Sequence, residues 1–229
     1  MKRKRTLLQD RVLPDYTEGE EIFNMVSHIA GGAFAVCALV LCVVFAAVHK
    51  NVYGIITGAV YGVSMIVVYV ISSVYHGLDG KKAATGKRVM QIIDHCDIYG
   101  LIVGTFAPVA LTRLRENYSF AAWLSFGVVC AVCVTGIVFT SIDYTKYRIV
   151  SYGSYFVSGW SVLMTIKYLM LSYSKEFIIL LIVGGAVYTL GMIFFVMQIK
   201  NVRYSHSIFH LFIVAGSVIQ FIAILKYCM

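Results

Sequence analysis

Apolar stretches of membrane-spanning length occupy most of this 229-residue chain. Seven of them reach the length of about 20 residues that a helix needs to cross the hydrocarbon core of a bilayer. They cover residues 22–48, 52–77, 91–112, 120–142, 149–171, 177–199 and 205–225. Hydrophobic residues make up 60% of the chain and charged residues only 13%, so a soluble domain of this size has too little polar surface to cover the apolar residues. The sequence therefore predicts an all-α integral membrane protein, a seven-transmembrane helix bundle.

The basic residues predict the orientation of this bundle. Thirteen Lys and Arg fall on the side of the N-terminus and six on the other side, where Lys167 is counted because its long side chain can reach the interface. Cytoplasmic loops carry the excess of positive charge. Residues 1–21 are therefore predicted to form a cytoplasmic N-terminal tail, and residues 22–229 a seven-helix transmembrane domain whose C-terminus is external. The basic start of the tail is not followed by an apolar run, unlike that of a cleaved signal peptide.

Charge and cysteine content exclude two other functional classes. The net charge of +8 is spread over the loops without a basic and aromatic patch, so nucleic acid is not a predicted partner. The same side chains can bind anionic headgroups, and membrane lipids of the plasma membrane are the predicted partners. Cys130 and Cys133 form a CxxC in the middle of a span without a second pair. We interpret them as small packing residues rather than a metal or redox site.

Polar residues cluster at one end of the predicted helices. Side chains of this kind at membrane depth are costly and usually functional. Four helices place them at the same, cytoplasmic level, and the residues are Asn24, His28, Ser72, His76, Asp94, His95, His206 and His210. His49 lies at the opposite end of the first span and is excluded by the same reasoning.

The spacing of the histidines is typical of metal ligands. His206 and His210 are four residues apart, so both imidazoles project from one helical face, about 6 Å from each other. His76, which follows Ser72 by the same spacing, can complete a three-histidine set that leaves a fourth position for water, as a catalytic Zn²⁺ site requires. Asp94 is the nearest carboxylate candidate to orient or deprotonate that water. The alternative is that each histidine is an interfacial side chain bonded to water or headgroups.

Neighbours of Asp94 on the third helix point in other directions. Adjacent helical residues diverge by about 100°, and residues three apart are only partly aligned. His95 and Asp97 are therefore predicted to lie behind the site or to face a loop.

Five segments carry a family resemblance when they are read together. They are Glu21-Ile-Phe-Asn24-Met-Val-Ser27-His28, Ser72-Ser-Val-Tyr-His76, Ile93-Asp94-His95, Gly104-Thr-Phe-Ala-Pro108 and His206-Ser-Ile-Phe-His210. Over nearly the whole chain the sequence resembles the hemolysin III family, the bacterial branch of the progestin and adipoQ receptors, which are related to alkaline ceramidases. The resemblance implies a seven-helix bundle with an intramembrane zinc near the cytoplasmic face.

The resemblance also implies roles for several residues of the motifs. The zinc ligands would be His76, His206 and His210. Ser72 and Asp94 would belong to the site, the aspartate by contacting water at the zinc. The first-helix motif, with Asn24 and His28, would support these residues.

Three functions from different classes remain open. The first is a zinc-dependent hydrolase of a lipid amide or ester in membrane lipid homeostasis. In this hypothesis Asp94 transfers the proton, and Ser72 bonds the oxyanion or fixes Asp94. An apolar cavity between helices would hold the acyl chain of the lipid substrate or ligand. The second is a non-catalytic sensor of membrane state with structural zinc. The third is a pore-forming cytolysin, as the family name implies, although no ring of charged residues recurs at several depths as in a hydrated pore.

Overall fold

The computed structural model describes residues 5–197 and 202–229, together with the backbone of Gln198. Every regular element within these residues is helical, so the predicted all-α class is confirmed for them. We label the α-helices α1 (Glu18–Val48), α2 (Val52–Gly77), α3 (Ala84–Val109), α4 (Ser119–Trp160), α5 (Ile166–Ser172), α6 (Lys175–Gln198) and α7 (Ser205–Cys228). Shorter helical segments are Leu8–Asp10, Ala110–Leu114, Arg115–Asn117 and Ser161–Thr165.

Six helical stretches in this part of the chain are long and apolar enough to cross a membrane. Their outer surfaces are apolar: Val36, Val40 and Val44 follow one another along α1 and are 50%, 54% and 49% exposed. Such a stripe is unfavourable in water and is covered in a bilayer. Five stretches overlap the predicted spans one to one. Residues outside the described part that contribute to the predictions are Lys2, Arg3, Lys4, Ile199 and Lys200.

The first helix begins four residues before the predicted span, at Glu18. A capping box starts it: the Thr17 side chain accepts a hydrogen bond from the backbone N–H of Glu20, and the Glu20 carboxylate accepts one from the N–H of Thr17. These bonds satisfy donors that the first turn leaves without helical partners. The cap extends α1 by one turn, so Glu21 becomes a helical residue instead of part of the tail.

The fourth and fifth predicted spans belong to one helical stretch of 54 residues, Ser119–Ser172. The backbone leaves helical geometry at Asp143 and Tyr147. Across this break the Thr140 and Ser151 hydroxyl oxygens are 2.8 Å apart, whereas eleven residues of straight helix would separate them by about 16 Å. The chain therefore turns back within α4. The residues of this turn include no Gly or Pro. Helical hydrogen bonding continues on both sides of it.

Pro108 lies where the end of α3 becomes irregular, because proline lacks a backbone donor and its ring disturbs the helix. The α-helix ends at Val109 and continues as a π-helix over Ala110–Leu114, where Thr112 has non-helical backbone angles. The Thr112 hydroxyl donates to the carbonyl oxygen of Pro108 and so bonds a backbone acceptor beside the irregularity.

Helix packing brings four helix ends to one level. Helix α1 packs against α2 and α7, and α2 against α3. Helices α1 and α2 approach closely because Gly62 has no side chain: a Cβ there would lie 2.5 Å from Leu39 Cβ. The starts of α1, α3 and α7 and the end of α2 therefore meet, and this is the end at which the polar residues lie.

Candidate metal centre

Three histidines from two helices meet at this end of the bundle. His76 lies in the last turn of α2, and His206 and His210 lie in the first two turns of α7. One ligand nitrogen from each of them lies within 4.8 Å of the other two, and the Nε2 atoms of His206 and His210 are 3.0 Å apart. All three residues are buried. This group of side chains, the histidine cluster, can hold a metal ion.

A backbone carbonyl determines which nitrogen of His210 faces the cluster. His210 Nδ1 lies 3.3 Å from the carbonyl oxygen of Asn24 on α1. Because a carbonyl oxygen only accepts, Nδ1 carries the proton, and Nε2 keeps its lone pair toward the other histidines. Metal-bound histidines commonly donate their second N–H in this way.

A carboxylate determines which nitrogen of His76 faces the cluster. Its Nδ1 lies 2.6 Å from Oε2 of Glu21, whose other oxygen is 2.5 Å from Nζ of Lys87. Lys87 is only 5% exposed and also donates to the carbonyl oxygen of Leu78. Glu21 thus accepts from Nδ1 and leaves His76 Nε2 directed away from it, without a hydrogen-bond partner in the described part of the chain.

The donor set fits a zinc ion. Buried polar atoms nearly always have a partner, and His76 Nε2 is an exception within the described residues. Zinc bound tetrahedrally at 2.0–2.1 Å from imidazole nitrogens holds pairs of them about 3.3 Å apart, close to the 3.0 Å between His206 and His210. Neutral imidazoles are also ligands that zinc, copper and nickel accept readily.

Ser72 and Asp94 lie together beside the histidine cluster. Ser72 is buried one turn before His76, and the Asp94 carboxylate of α3 lies near the Ser72 side chain. The Tyr75 ring lies 4.6 Å from that of His76. Among the described residues, Asp94 is not in the group whose atoms can share one metal ion. The carboxylate is therefore placed next to the ligand set and not within it.

Asn24 and His28, both predicted to support the site, contact α7. The Asn24 side-chain oxygen accepts a hydrogen bond of 2.7 Å from the Ser207 hydroxyl, in addition to the contact of its carbonyl with His210. The His28 ring stacks on His210 with 3.7 Å between centroids. Neither His28 nitrogen has a hydrogen-bond partner within the described residues. His28 thus supports the ring of a candidate ligand. Within the described residues, its two ring nitrogens remain available to donate or accept a hydrogen bond.

His95 does not face a loop, which corrects one of the two positions predicted for it. It is 5% exposed, its Nδ1 bonds the Gln91 carbonyl oxygen at 2.6 Å, and its ring packs on Tyr144. The reason is that α3 begins at Ala84, before the predicted span, so His95 lies well inside the helix. Phe195 contacts both His95 and His206, which separates His95 from the histidine cluster by one ring.

Two further polar residues of the prediction lie away from the cluster. The carboxylate oxygens of Asp97 are buried without a hydrogen-bond partner in the described residues. His49 is exposed at the other end of α1, where its Nδ1 bonds the Phe45 carbonyl oxygen, in agreement with its exclusion.

Three residues near the cluster carry no role in the sequence prediction: Glu21, Lys87 and Tyr16. Glu21 precedes Asn24 by three positions and His28 by seven, which places all three on one face of a helix, and this spacing is a signal for Glu21. Lys87 and Tyr16 have no such signal. Their contacts arise only between separate segments.

Tyr16 covers the histidine cluster from the side of the loops. Its ring stacks on His206 with 5.2 Å between centroids and lies 5.6 Å from that of His76. Burial raises the pKa of the Tyr16 phenol well above its ordinary value, so the hydroxyl stays neutral. The N-terminal segment is fastened by the Thr6 N–H, which donates to the Asp143 carboxylate at 2.7 Å.

An apolar cavity lies between the helices of the bundle. Its volume is about 140 Å³, and it is lined by residues of α3, the second half of α4, the Ser161–Thr165 segment, α6 and α7. Phe209 lines it, and the Phe209 ring lies 5.5 Å from that of His206. An apolar group can therefore lie within the bundle, separated from His206 by the Phe209 ring.

Comparison with known proteins gives the family. The family profile described as Haemolysin-III related matches residues 16–221. The chain belongs to the haemolysin III family. It is 33% identical to the Hemolysin-3 homolog of Bacillus subtilis over 93% of this chain and 96% of the relative, and 30% identical to Hemolysin-3 of Bacillus cereus over 91% of each. The human Monocyte to macrophage differentiation factor is 25% identical over 75% of this chain and 70% of its own.

Membership confirms the predicted family and the predicted location. A haemolysin III protein with these apolar helices is a multi-pass protein of the plasma membrane, and its outer surface contacts membrane lipids. The matched region contains every residue of the histidine cluster, with Ser72 and Asp94 beside it.

Proposed function

We propose that this haemolysin III protein binds Zn²⁺ and hydrolyses a lipid amide or ester in membrane lipid homeostasis. One observation carries the proposal: three buried imidazoles that can share a metal ion lie near the Asp94 carboxylate, and Phe209 joins them to an apolar cavity between the helices. His76, His206 and His210 would be the ligands, and Glu21, Asn24 and His28 would hold their rings.

In this proposal each residue of the site has a separate role in hydrolysis. Zinc, when bound, supplies a Lewis acid that lowers the pKa of water toward about 7 and polarises an acyl carbonyl. Asp94 accepts the proton of the attacking water and delivers it to the leaving nitrogen or oxygen. Ser72, which lies near Asp94, donates a hydrogen bond to the carboxylate and keeps it oriented. The cavity holds the acyl chain and excludes bulk water, while Tyr16 limits access from the loops.

We further propose that the chain crosses the membrane seven times, with residues 1–21 in the cytoplasm and the C-terminus outside. The turn within α4 supports two crossings by the 54-residue stretch, since a bilayer core of about 30 Å needs only about 20 residues per crossing. The thirteen to six distribution of Lys and Arg supports the orientation.

One experiment separates catalytic from structural zinc. In Asp94→Asn the ligands remain, so zinc stays bound, but the proton acceptor is lost and turnover of a lipid amide or ester falls about 100-fold or more. Asp97→Asn is the matched control, because it makes the same change in a buried carboxylate one turn further along α3, and it should keep turnover within a few-fold. The assay is lipid hydrolysis by purified, zinc-loaded protein. Full turnover in Asp94→Asn with zinc bound would refute the hydrolase.

A second candidate is a sensor of membrane state with structural zinc. The observation in its favour is that the three ligands join α2 to α7 and are covered by Tyr16, so a bound metal would tie separate segments together. For a sensor, Asp94→Asn keeps both thermal stability and the cellular phenotype, while His210→Ala loses both. A pore-forming cytolysin, the activity in the name of the Bacillus cereus relative, would instead release dye from liposomes.

A further inference from the structure

A segment with little regular structure lies over the histidine cluster. Residues 5–16, the N-terminal strap, precede α1 and contain one short 3-10 helix, Leu8–Asp10. Tyr16, at the end of the strap, stacks on His206 with 5.2 Å between centroids, and its ring lies 5.6 Å from that of His76. The strap thus contacts both helices that supply the candidate ligands, α2 and α7.

Side chains of the bundle hold the strap by its backbone. Nε of Arg88 on α3 donates to the carbonyl oxygen of Arg11 at 2.9 Å. Nη1 of Arg203, just before α7, donates to the carbonyl oxygen of Asp15 at 2.7 Å. A third bond joins the strap to the turn within α4. The strap is therefore fastened at three separate points around the end of the bundle.

The strap contributes little to the apolar core. Leu7 and Val12 are 55% and 90% exposed, and among residues 5–16 only Arg11 is buried. Segments with few buried apolar contacts open at a lower free energy than packed helices do. The strap can therefore detach while the helices stay together.

A small pocket reaches the histidine cluster where the strap meets the start of α7. Its volume is about 20 Å³, which is enough for one water molecule. The residues that line it include Asp15 and Tyr16 of the strap, Glu20 of α1, Arg203 and His206. A candidate ligand thus borders a pocket whose other walls are the strap and the arginine that holds it.

Arg203 joins the strap to the start of α1. Its Nη1 also lies 3.3 Å from Oε2 of Glu20, and its Nη2 lies 3.6 Å from the Asp15 carboxylate. The Glu20 carboxylate has other partners as well, since it accepts from the N–H groups of Thr17 and Tyr204 at 2.8 and 2.6 Å. Loss of the guanidinium therefore releases the strap without leaving a buried carboxylate unbonded.

We propose that the N-terminal strap is a gate over the histidine cluster, that Arg203 holds it closed, and that it opens to admit and release a metal ion. The metal ion rests on the proposed function, whereas the gate rests on the contacts of the strap. Because entry and release use the same opening, a weaker closure speeds both and leaves the affinity nearly unchanged. A strap that instead held the ligands in position would, when weakened, speed release alone and lower the affinity.

The first test measures zinc binding and release by stopped flow with the full-length protein in nanodiscs. Metal-free protein mixed with Zn²⁺ gives the binding rate, and zinc-loaded protein mixed with excess pyridylazoresorcinol gives the release rate. In Arg203→Gln both rates should rise about tenfold, the effect of losing charge-assisted contacts from a side chain that is 54% exposed. The equilibrium affinity should stay within about threefold of wild type.

Three further variants locate the effect. Tyr16→Ala removes the ring that covers the cluster and should also speed both rates, whereas Tyr16→Phe keeps the ring and should keep the wild-type rates. Arg113→Gln makes the same chemical change as Arg203→Gln at an exposed arginine at the opposite end of the bundle, and it should alter neither rate.

A second test needs no metal. Diethyl pyrocarbonate acylates accessible imidazole nitrogens, and peptide mass spectrometry of the treated, metal-free protein measures the reaction of each histidine. His206, which is 4% exposed, should react about tenfold faster in Arg203→Gln and Tyr16→Ala than in wild type. The exposed His49 should react equally in all proteins and serves as the internal control.

The outcomes distinguish the gate from the metal centre. Wild-type rates in Arg203→Gln would overturn the gate, and so would faster release without faster binding. Zinc that binds at rates independent of the strap would therefore refute the gate and leave the metal centre intact. Faster reaction of His206 in Arg203→Gln, in a protein that binds no zinc, would support a gate over the cluster and refute the proposed metal centre.

Discussion

Glu21 provides the sharpest test of how the metal centre is built. Its carboxylate joins His76 Nδ1, at 2.6 Å, to the buried ammonium group of Lys87, at 2.5 Å. Glu21→Gln keeps the size of the side chain but removes its charge. The amide oxygen can still accept one hydrogen bond, whereas the charge-assisted bond to His76 and the ion pair with Lys87 are both lost.

The size of the effect follows from these two contacts. Loss of a group that orients a metal-bound histidine typically lowers metal affinity about 10- to 100-fold, which equals about 1.4 to 2.7 kcal/mol. The metal-free protein should also lose about 2 kcal/mol in free energy of unfolding, the scale of a hydrogen bond to a charged group. Competition with a chelator measures the zinc affinity, and thermal unfolding of the metal-free protein measures the stability.

Two variants separate the hydrogen bond from the ion pair. Lys87→Met breaks the ion pair but keeps the bond between Glu21 and His76, so it should destabilise the protein while zinc affinity stays within about threefold of wild type. Glu18→Gln makes the same chemical change at an exposed site one turn earlier in α1 and should alter neither quantity. Wild-type zinc affinity in Glu21→Gln would refute the reasoning, because Glu21 would then have no part in orienting the ligand.

Two further predictions concern the ligands and the topology. Most bound zinc should be lost in each of His76→Ala, His206→Ala and His210→Ala, since three protein ligands leave no redundancy, while His49→Ala should keep it. Elemental analysis of the purified protein measures the zinc content. Retained zinc in any of the three variants would remove that residue from the ligand set. Reporter fusions after Lys82 and after Met229 should indicate opposite sides of the membrane, with Lys82 cytoplasmic. Agreement between the two reporters would contradict seven crossings.

Sequence patterns were most informative where the structure depends on local geometry. A bilayer requires each crossing segment to satisfy its own backbone hydrogen bonds, so apolar length alone indicates a helix. Helical periodicity likewise places His206 and His210 on one face, because residues four apart are neighbours wherever the helix lies. The capping box of α1 is local too, and Thr17 and Glu20 have the spacing that predicts the earlier start of this helix.

Contacts between helices required the tertiary structure. Nothing in the spacing of Lys87 indicates that its ammonium group meets Glu21, or that Tyr16 stacks on His206. Two predicted spans of this length imply a turn between them, but the sequence has no Gly or Pro that marks its position. Only the structure shows that the backbone leaves helical geometry at Asp143 and Tyr147. The position of the Gln220 amide depends on α6, whose Leu181 carbonyl oxygen accepts a hydrogen bond from the amide nitrogen.

By itself the sequence determined the helical membrane fold, the family and the level at which the polar residues lie, since each follows from hydropathy, motif spacing or the order of the spans. Only the tertiary structure decided which nitrogen of each histidine faces the cluster, that Asp94 lies beside the ligand set, and that Tyr16 covers the cluster. The physical reason is that position along a helix follows from a constant rise per residue. The rotation, tilt and separation of packed helices depend instead on side-chain contacts between segments distant in the chain.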